Sequence, residues 1–345
     1  MRVLVAMSGG VDSSVAAAVL KEKGWQVVGA TMRLWSGDST SGCCSVADVE
    51  DARRVADRLG IEHHVFNFTA DFEASVVSSY LDEHRRARTP NPCVECNRHL
   101  KFRRFLDRAV RLGFDAMATG HHARVVAAAG AFRLRRGLDA AKDQSYVLWM
   151  LGQEQLARLV LPVGELTKDQ VRAKARSLGL PTADKPDSQD VCFVGTEGRR
   201  AFLAARIPLR PAEVVEASTG EVVGRVEALE ALTLGQRKGL PRTPGRGRRY
   251  VVSVDPAGGR VLVGDRRAVL AEGVRLSSCS WVGAAPADGV RLLAQTSAHS
   301  APVRATWEAG WVGFDSPQRR VAPGQSVALY DDDWLLGGGI ACEGG

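Results

Sequence analysis

The 345-residue chain predicts an α/β fold, a doubly wound parallel sheet followed by a small mixed domain and a C-terminal β-barrel. Three observations predict it. Apolar strands alternate with amphipathic helices as far as about residue 200, the βαβ pattern of a parallel sheet covered on both faces. A glycine-rich turn joins the first strand to the first helix, where such sheets bind phosphates. Beyond Pro208 helical periodicity nearly vanishes, and short Val/Leu/Arg strands are broken by Gly and Pro.

The first strand is the run Val3-Leu4-Val5-Ala6, too short and too continuous for an amphipathic helix. Met7-Ser8-Gly9-Gly10-Val11-Asp12-Ser13 follows, and residues 14–21 read as a helix. Gly9 and Gly10 let the backbone approach a phosphate with no Cβ in the way, and the helix start adds unpaired N–H groups and a partial positive charge. An anion is expected there. The loop lacks the lysine of the Walker pattern and the G-x-G-x-x-G spacing of dinucleotide binders. Ser-Gly-Gly-x-Asp-Ser resembles instead the PP-loop of the ATP pyrophosphatases, which cleave ATP between the α and β phosphates and adenylate a substrate oxygen. The plain alternative is a strand-to-helix turn with a Ser/Asp cap.

Further strands are predicted at 27–34, 63–68 and 115–119, and helices at 46–59, 72–86, 98–112 and 168–178. The loop at 8–13, the stretch after Leu34 and the Thr119-Gly120-His121-His122 turn then fall at one carboxyl edge and face one site. His121 and His122 read there as polar contacts to a nucleotide. Later strands are expected around Val222 and Val261. The units are placed at 1–205 (ATP-binding and catalytic), 206–272 (a small linker domain) and 273–345 (the barrel).

Only Met1 and Arg2 precede the first strand, which leaves no room for a signal peptide, and no apolar run reaches membrane-spanning length. A cytoplasmic protein without membrane contact is expected. The net charge of +7, with arginines gathered at 85–88, 98–104 and 242–249, suits a polyanionic partner, although solvated basic faces would look the same.

Seven cysteines, an odd number, argue against a disulfide scaffold and for chemistry at some of them. In Thr89-Pro90-Asn91-Pro92-Cys93-Val94-Glu95-Cys96-Asn97 the prolines end one helix and fix an extended loop. Cys96 is expected near the next helix start among Arg and Lys, which favours the thiolate. Cys192 lies among turn-forming and acidic residues. Cys93, Cys96 and Cys192 admit a persulfide or redox pair, or three ligands of an iron–sulfur cluster. A C-x-x-C with one distant cysteine is a weak zinc signal even if Cys43 or Cys44 supplies a fourth ligand, so no metal is assigned. Cys279 and Cys342, in apolar β-texture, are expected to be small core residues.

Together these residues resemble the tRNA-specific 2-thiouridylase family, nearly from end to end. The motifs run in order through the loop at 7–14, Gly42-Cys43-Cys44-Ser45, residues 89–102, Ala118-Thr119-Gly120-His121-His122-Ala123-Arg124, Lys142-Asp143-Gln144-Ser145-Tyr146, residues 188–194, Leu234-Gly235-Gln236-Arg237-Lys238-Gly239-Leu240 and Leu336-Gly337-Gly338-Gly339-Ile340.

The resemblance implies a tRNA-uridine 2-sulfurtransferase acting on the wobble uridine, with ATP and magnesium as cofactors and a persulfide donor or relay protein as partner. It assigns ATP contacts to Ala6, Met7, Ser8, Gly9, Gly10, Val11, Asp12, Ser13, Met32 and Gly120, and tRNA contacts to Lys142, Asp143 and Gln144. It makes Cys192 the cysteine that receives sulfur and Cys96 its partner, leaving a Cys96–Cys192 disulfide to be reduced. Asn91 and Cys93 fall where the family meets the target base or a cluster. Relatives usually carry Asp at Cys93, so that carboxylate's role does not transfer. They often carry Arg-Tyr-Arg where this chain has Ser297-Ala298-His299, so the family's tRNA contact from that place does not transfer. The rival readings are a PP-loop amidotransferase-type synthetase, for which no glutaminase segment is visible, and a tRNA-binding module with a vestigial nucleotide fold.

Overall fold

Val3, Leu4 and Val5 have no exposed surface because their strand has a neighbour on each edge. In this computed structural model, which describes residues 1–35, 46–128, 130–187, 191–241 and 247–342, β1 (Arg2–Ala6) pairs in parallel with β2 (Gln26–Arg33) and with β4 (Ala116–Ala118). With β3 (Glu62–Asn67) and β7 (Leu159–Val160) the sheet runs β3-β2-β1-β4-β7, parallel throughout. Strand side chains alternate between faces. Accordingly Val3 and Val5 join one buried cluster with Val15, Val55 and Val171, while Leu4 joins another with Phe72, Phe105 and Trp149. Helices cover both faces: α1 (Val11–Glu22), α2 (Val46–Leu59), α3 (Thr69–Phe72), α4 (Ser78–Arg85), α5 (Pro92–Glu95), α6 (Leu106–Arg111), α7 (Gln153–Leu156), α8 (Lys168–Ser177) and α9 (Gly198–Ala204). A π-helical stretch, Glu73–Val77, joins α3 to α4, and a second, Cys96–Phe105, joins α5 to α6.

The helix predicted from residue 98 in fact begins at Pro92. Asn91 caps it, its side chain accepting from the Cys93 and Val94 N–H groups, and proline is suited to a first helical position that needs no N–H. Cys93 therefore stands in the first turn and Cys96 in the second, where the π-helical stretch opens.

Sequence reading also passed over the hairpin β5 (Ala123–Ala128) and β6 (Ala131–Arg136). Its outer partner lies almost two hundred residues on: Leu134 faces Leu335 and Arg135 faces Trp334. The first unit thereby extends the sheet of the last.

The middle unit is a four-stranded sheet, β8 (Ala212–Glu216), β9 (Val222–Val226), β10 (Tyr250–Asp255) and β11 (Arg260–Gly264), in the order β10-β11-β8-β9. The last unit comprises β12 (Leu270–Trp281), β13 (Arg291–Gln295), β14 (Val303–Glu308), β15 (Trp311–Arg319), β16 (Ser326–Asp331) and β17 (Trp334–Ala341). They run antiparallel as β12-β15-β14-β13-β16-β17, and pairing of β12 with β17 closes the barrel. Cys279 is exposed and Cys342 only partly buried, contrary to the core placement expected of them. Val274 and Leu276 face the barrel core, so alternation along β12 turns Cys279 to the opposite, outer face, and the β12–β17 register shifts between Ser277 and Ser280, with Ser278 at positive φ.

Among the described residues no helix is long and apolar enough to cross a membrane. The motif residues Gly42 to Ser45, Ser188 to Asp190 and Arg242 lie outside the described residues.

Candidate active site

The loop after β1 turns sharply into α1. Gly9 takes φ +72°, and a Cβ there would collide with the Asp48 carbonyl in the first turn of α2. Both constraints demand glycine. The loop is then cross-braced: the Ser8 N–H donates to Ser13 Oγ at 3.2 Å, and the Ser13 and Ser14 hydroxyls donate to the Gly10 carbonyl at 3.0 and 2.8 Å. Gly10 caps α1 without a side chain, so the first-turn N–H groups of Val11, Asp12 and Ser13 have no intrahelical acceptor. Gly120, just beyond β4, closes the other side. A Cβ on Gly120 would lie 2.5 Å from the Ser13 nitrogen. Ala6 and Met32, at the ends of β1 and β2, belong to one buried cluster beneath the loop, and the Met7 N–H donates to the Ala30 carbonyl at 2.9 Å. The residues assigned to ATP thus converge on one carboxyl edge.

A charged network adjoins the loop. Lys168, the first residue of α8, places Nζ 2.8 Å from both Asp12 oxygens and 2.8 Å from Asp187, with only 9% of its side chain exposed. His122 Nε2 lies 3.0 Å from Asp12 Oδ1. Burial pushes the Asp12 carboxyl up, but hydrogen bonds from His122 and Lys168 and the Lys168 charge outweigh it and hold the group below its ordinary value. Asp187 also takes Lys142 at 2.8 Å and Arg172 at 3.0 Å. Against the opposing effect of its own burial, Lys142 and Lys168 bring it down to about 2. Sequence reading missed Lys168 and Asp187. A lysine opening a helix with Thr167 as cap reads as a solvent-facing charge, and only the fold brings it to Asp12.

His121 is buried as well: desolvation pushes it well below the ordinary range, and its Nδ1 lies 2.6 Å from the Thr119 hydroxyl. Lys168 takes one acceptor site on each Asp12 oxygen, and the carboxylate keeps lone pairs that would suit a hard cation bound with a phosphate ligand. Among the described residues no group of three or more His, Cys, Asp or Glu side chains is placed to hold a metal ion.

Two of the cysteines belong to the core that also holds Ala6 and Met32. Cys96 is buried in the cluster that contains Phe72 and Trp149, and Cys192, partly buried, packs against that cluster. Cys93 is exposed. The chain leading to Cys192 is fastened on both sides. Before it, Lys185 reaches Asp48 at 2.7 Å and Asp51 at 2.6 Å, and Asp187 is held as above. After it, Phe193 is 2% exposed among Trp35, Phe72, Tyr80 and Phe202.

Three family models match the chain in series: the tRNA methyl transferase HUP domain over residues 1–196, the tRNA methyl transferase PRC-barrel domain over 200–265 and the aminomethyltransferase beta-barrel domain over 271–341. The tRNA-specific 2-thiouridylase MnmA of Carboxydothermus hydrogenoformans is 45% identical, covering 98% of this chain and 96% of its own length. The protein of the same name from Chloroflexus aggregans is 46% identical over 98% of this chain and 97% of its own. The chain belongs to the tRNA-specific 2-thiouridylase family. The Salinispora tropica member is likewise 46% identical over 96% of this chain and 95% of its own.

In this 2-thiouridylase-family chain the Lys142-Asp143-Gln144 stretch lies against the loop region. Lys142 is partly exposed through its pair with Asp187, and the Gln144 side chain accepts from the His122 N–H at 2.9 Å. Asp143 turns inward, taking Arg136 at 2.7 Å and the Gly137 N–H at 3.0 Å. Arg136 also donates to Gln295 at 2.9 Å, and Gln295 donates to the Ser297 carbonyl at 3.0 Å. The exposed Ser297-Ala298-His299 turn is thereby tied to the Asp143 loop. Asn91 is spent largely on capping α5.

Proposed function

We propose that the protein is an ATP-dependent tRNA sulfurtransferase that converts the wobble uridine to 2-thiouridine. The observation that carries this reading is identity near 45% to 2-thiouridylases across 98% of the chain. The loop of Ser8 to Ser13, open to an anion at a helix start, and the two cysteines, Cys96 and Cys192, that share one core with Ala6 and Met32 support it.

A uracil carbonyl is a poor electrophile. Attack of its O2 on the α-phosphorus of ATP expels pyrophosphate and turns O2 into part of a good leaving group. The N–H groups of the first turn of α1, with Lys168 swung from Asp12, bind the pyrophosphate charge as it develops. Asp12, itself braced by His122, and Asp187 hold that lysine at the loop beforehand. The terminal sulfur of a persulfide on Cys192 attacks C2, and AMP departs with the original oxygen. The Cys96 thiolate attacks the inner sulfur of Cys192, so that the transferred sulfur leaves with both electrons of the broken S–S bond. The two cysteines are oxidised to a disulfide, which a thiol reductant reopens. Magnesium, when bound with ATP, supplies charge neutralisation on the phosphates. The wobble base leaves its stack to reach the loop at a cost of roughly a few kcal/mol, least for an unpaired anticodon nucleotide.

The test is tRNA-dependent formation of pyrophosphate and AMP together with 2-thiouridine in the digested tRNA. Tight tRNA binding without pyrophosphate release would leave the vestigial-fold reading standing and sink this one.

A further inference from the structure

Thr89, the residue that opens the cysteine-bearing loop, is gripped by all three units. Its N–H donates to the Pro323 carbonyl at 2.8 Å, and its carbonyl accepts from Gln325 Nε2 at 2.6 Å. Its hydroxyl donates to Thr233 Oγ1, of the middle unit, at 3.4 Å. Pro323 and Gln325 belong to the turn that enters β16. That turn is itself braced, since the Gln325 N–H donates to the Ala322 carbonyl at 3.0 Å and the Gln325 carbonyl accepts from Ala341, the last residue of β17, at 2.8 Å.

A second line of contact leaves the very next barrel residue. The Ser326 carbonyl accepts from the buried Tyr146 hydroxyl at 2.8 Å, and the carbonyl of the next residue, Val147, accepts from the Asn97 side chain at 2.9 Å. Asn91 caps α5, and Cys93 and Cys96 follow on the same helical run. Consecutive barrel residues therefore hold the cysteine segment twice, Gln325 at the backbone of Thr89 and Ser326, through Tyr146 and Val147, at Asn97 beside Cys96. Hydrogen bonds made to both polar groups of one peptide residue fix its direction as well as its place, and what they fix here is the entry of the helix that carries both thiols.

We propose that Gln325 is a positioning residue, through which the C-terminal barrel sets the placement of Cys96 for sulfur transfer. The proposal rests on the tRNA-thiolation reading for its reaction, but the contact itself stands on the fold. Among the described residues these barrel hydrogen bonds reach Thr89 and Tyr146 and none of them reaches Gly9 or Gly10, so the two halves of the reaction should respond differently. Adenylation keeps its own frame of β1, α1, Gly120 and Lys168.

The experiment compares the full chain with Gln325→Ala and with Tyr146→Phe, the second keeping the ring's packing in case the first fails to fold. Persulfide-loaded enzyme in single turnover should lose about 10- to 100-fold in sulfur-transfer rate, the loss expected of reacting groups misplaced by about an ångström, with the tRNA KM unchanged. Pyrophosphate release should stay within about twofold, since no group that faces the transition state has been altered. Iodoacetamide alkylation of Cys96, followed by peptide mass with Cys279 as internal control, should change rate several-fold. Unchanged alkylation and unchanged sulfur transfer in both variants would overturn the proposal, as would equal losses in the two half-reactions. If the parent chain thiolates no tRNA, the functional reading fails, while a Cys96 alkylation rate altered in both variants still upholds the positioning role.

Discussion

Lys168 and Asp12 are 156 positions apart in the chain, yet Lys168 Nζ lies 2.8 Å from each Asp12 oxygen. The loop has no lysine of its own, and the fold brings one to it from the start of α8. Lys168→Met should lower pyrophosphate formation by about 10²- to 10³-fold, the usual cost of removing a donor aimed at developing charge. Affinity for tRNA should change little, because only 9% of the side chain is exposed. The substitution leaves Asp12 and Asp187 less compensated, so Lys168→Arg, which keeps the charge, serves as the stability control. Pyrophosphate release near the parent rate in Lys168→Met would remove the lysine from the chemistry.

Binding of tRNA should weaken steeply with salt, because each phosphate contact releases counterion with a log–log slope of about −0.9 for duplex and about −0.7 for single strands. The slope should nevertheless be smaller than a count of arginines suggests. Arg85 pairs with Asp82 and Arg86 with Glu83 one helical turn away, and Arg249 lies 2.6 Å from Glu216. Filter binding across a salt series measures it, and a slope near zero would refute electrostatic docking.

Acid should weaken the fold in two separate windows. His84 is 1% exposed with Nδ1 2.9 Å from the Glu230 carbonyl, and burial, only partly offset by that bond, pushes it from 6.5 down to about 4. Its folded value lies below its unfolded one, so the unfolded chain takes up the proton first. Stability then falls as pH drops from 6.5 towards 4, by up to ~3 kcal/mol for this group. Asp187, held at about 2 against an ordinary 3.8, contributes fully above the ordinary value and loses that contribution only between the two. Denaturant midpoints at pH 7, 5 and 4 test the first window. His84→Asn, which keeps a donor for Glu230, should flatten that slope, and an unaltered slope would discharge His84.

How much of this was legible beforehand follows from how local each signal is. The strand, loop and helix from Val3 to Leu20 were readable because a short continuous apolar run, the glycine pair and the helix start all lie within one short window. The start of the cysteine helix was misplaced by six residues, since Pro92 was read as a breaker where Asn91 made it a first helical residue. The β5–β6 hairpin escaped because its partner strand is distant, so nothing near Leu134 announces Leu335. The loop residues were found from the motif, whereas Lys168 and Asp187 carry no motif and acquire meaning only when α8 docks beside α1. Cys279 was misjudged because residue type was weighed and the period-two pattern was not: Val274 and Leu276 face inward, which leaves Cys279 on the outer face.

The three cysteines discriminate between a persulfide route and a cluster. Cys96 is buried and Cys192 partly buried against one cluster, whereas Cys93 is exposed in the first turn of α5. A persulfide route needs one cysteine to carry sulfur and one to resolve it, which the two that share a core can do, and gives the exposed third no obligatory step. Started from preformed persulfide in air without added iron, a single-turnover reaction should thiolate tRNA. Cys192→Ser should make no 2-thiouridine, and Cys96→Ser should accumulate it poorly. Cys93→Ala should keep substantial activity. A cluster would need three thiolates, with Cys93 as the third, and would make Cys93→Ala as damaging as Cys96→Ser. Iron and labile-sulfide analysis of anaerobically purified protein, run beside the variants, reads the same question independently. Iron-dependent thiolation that vanishes in Cys93→Ala would overturn the persulfide route, because an exposed thiol that only lines the loop has no reason to be indispensable.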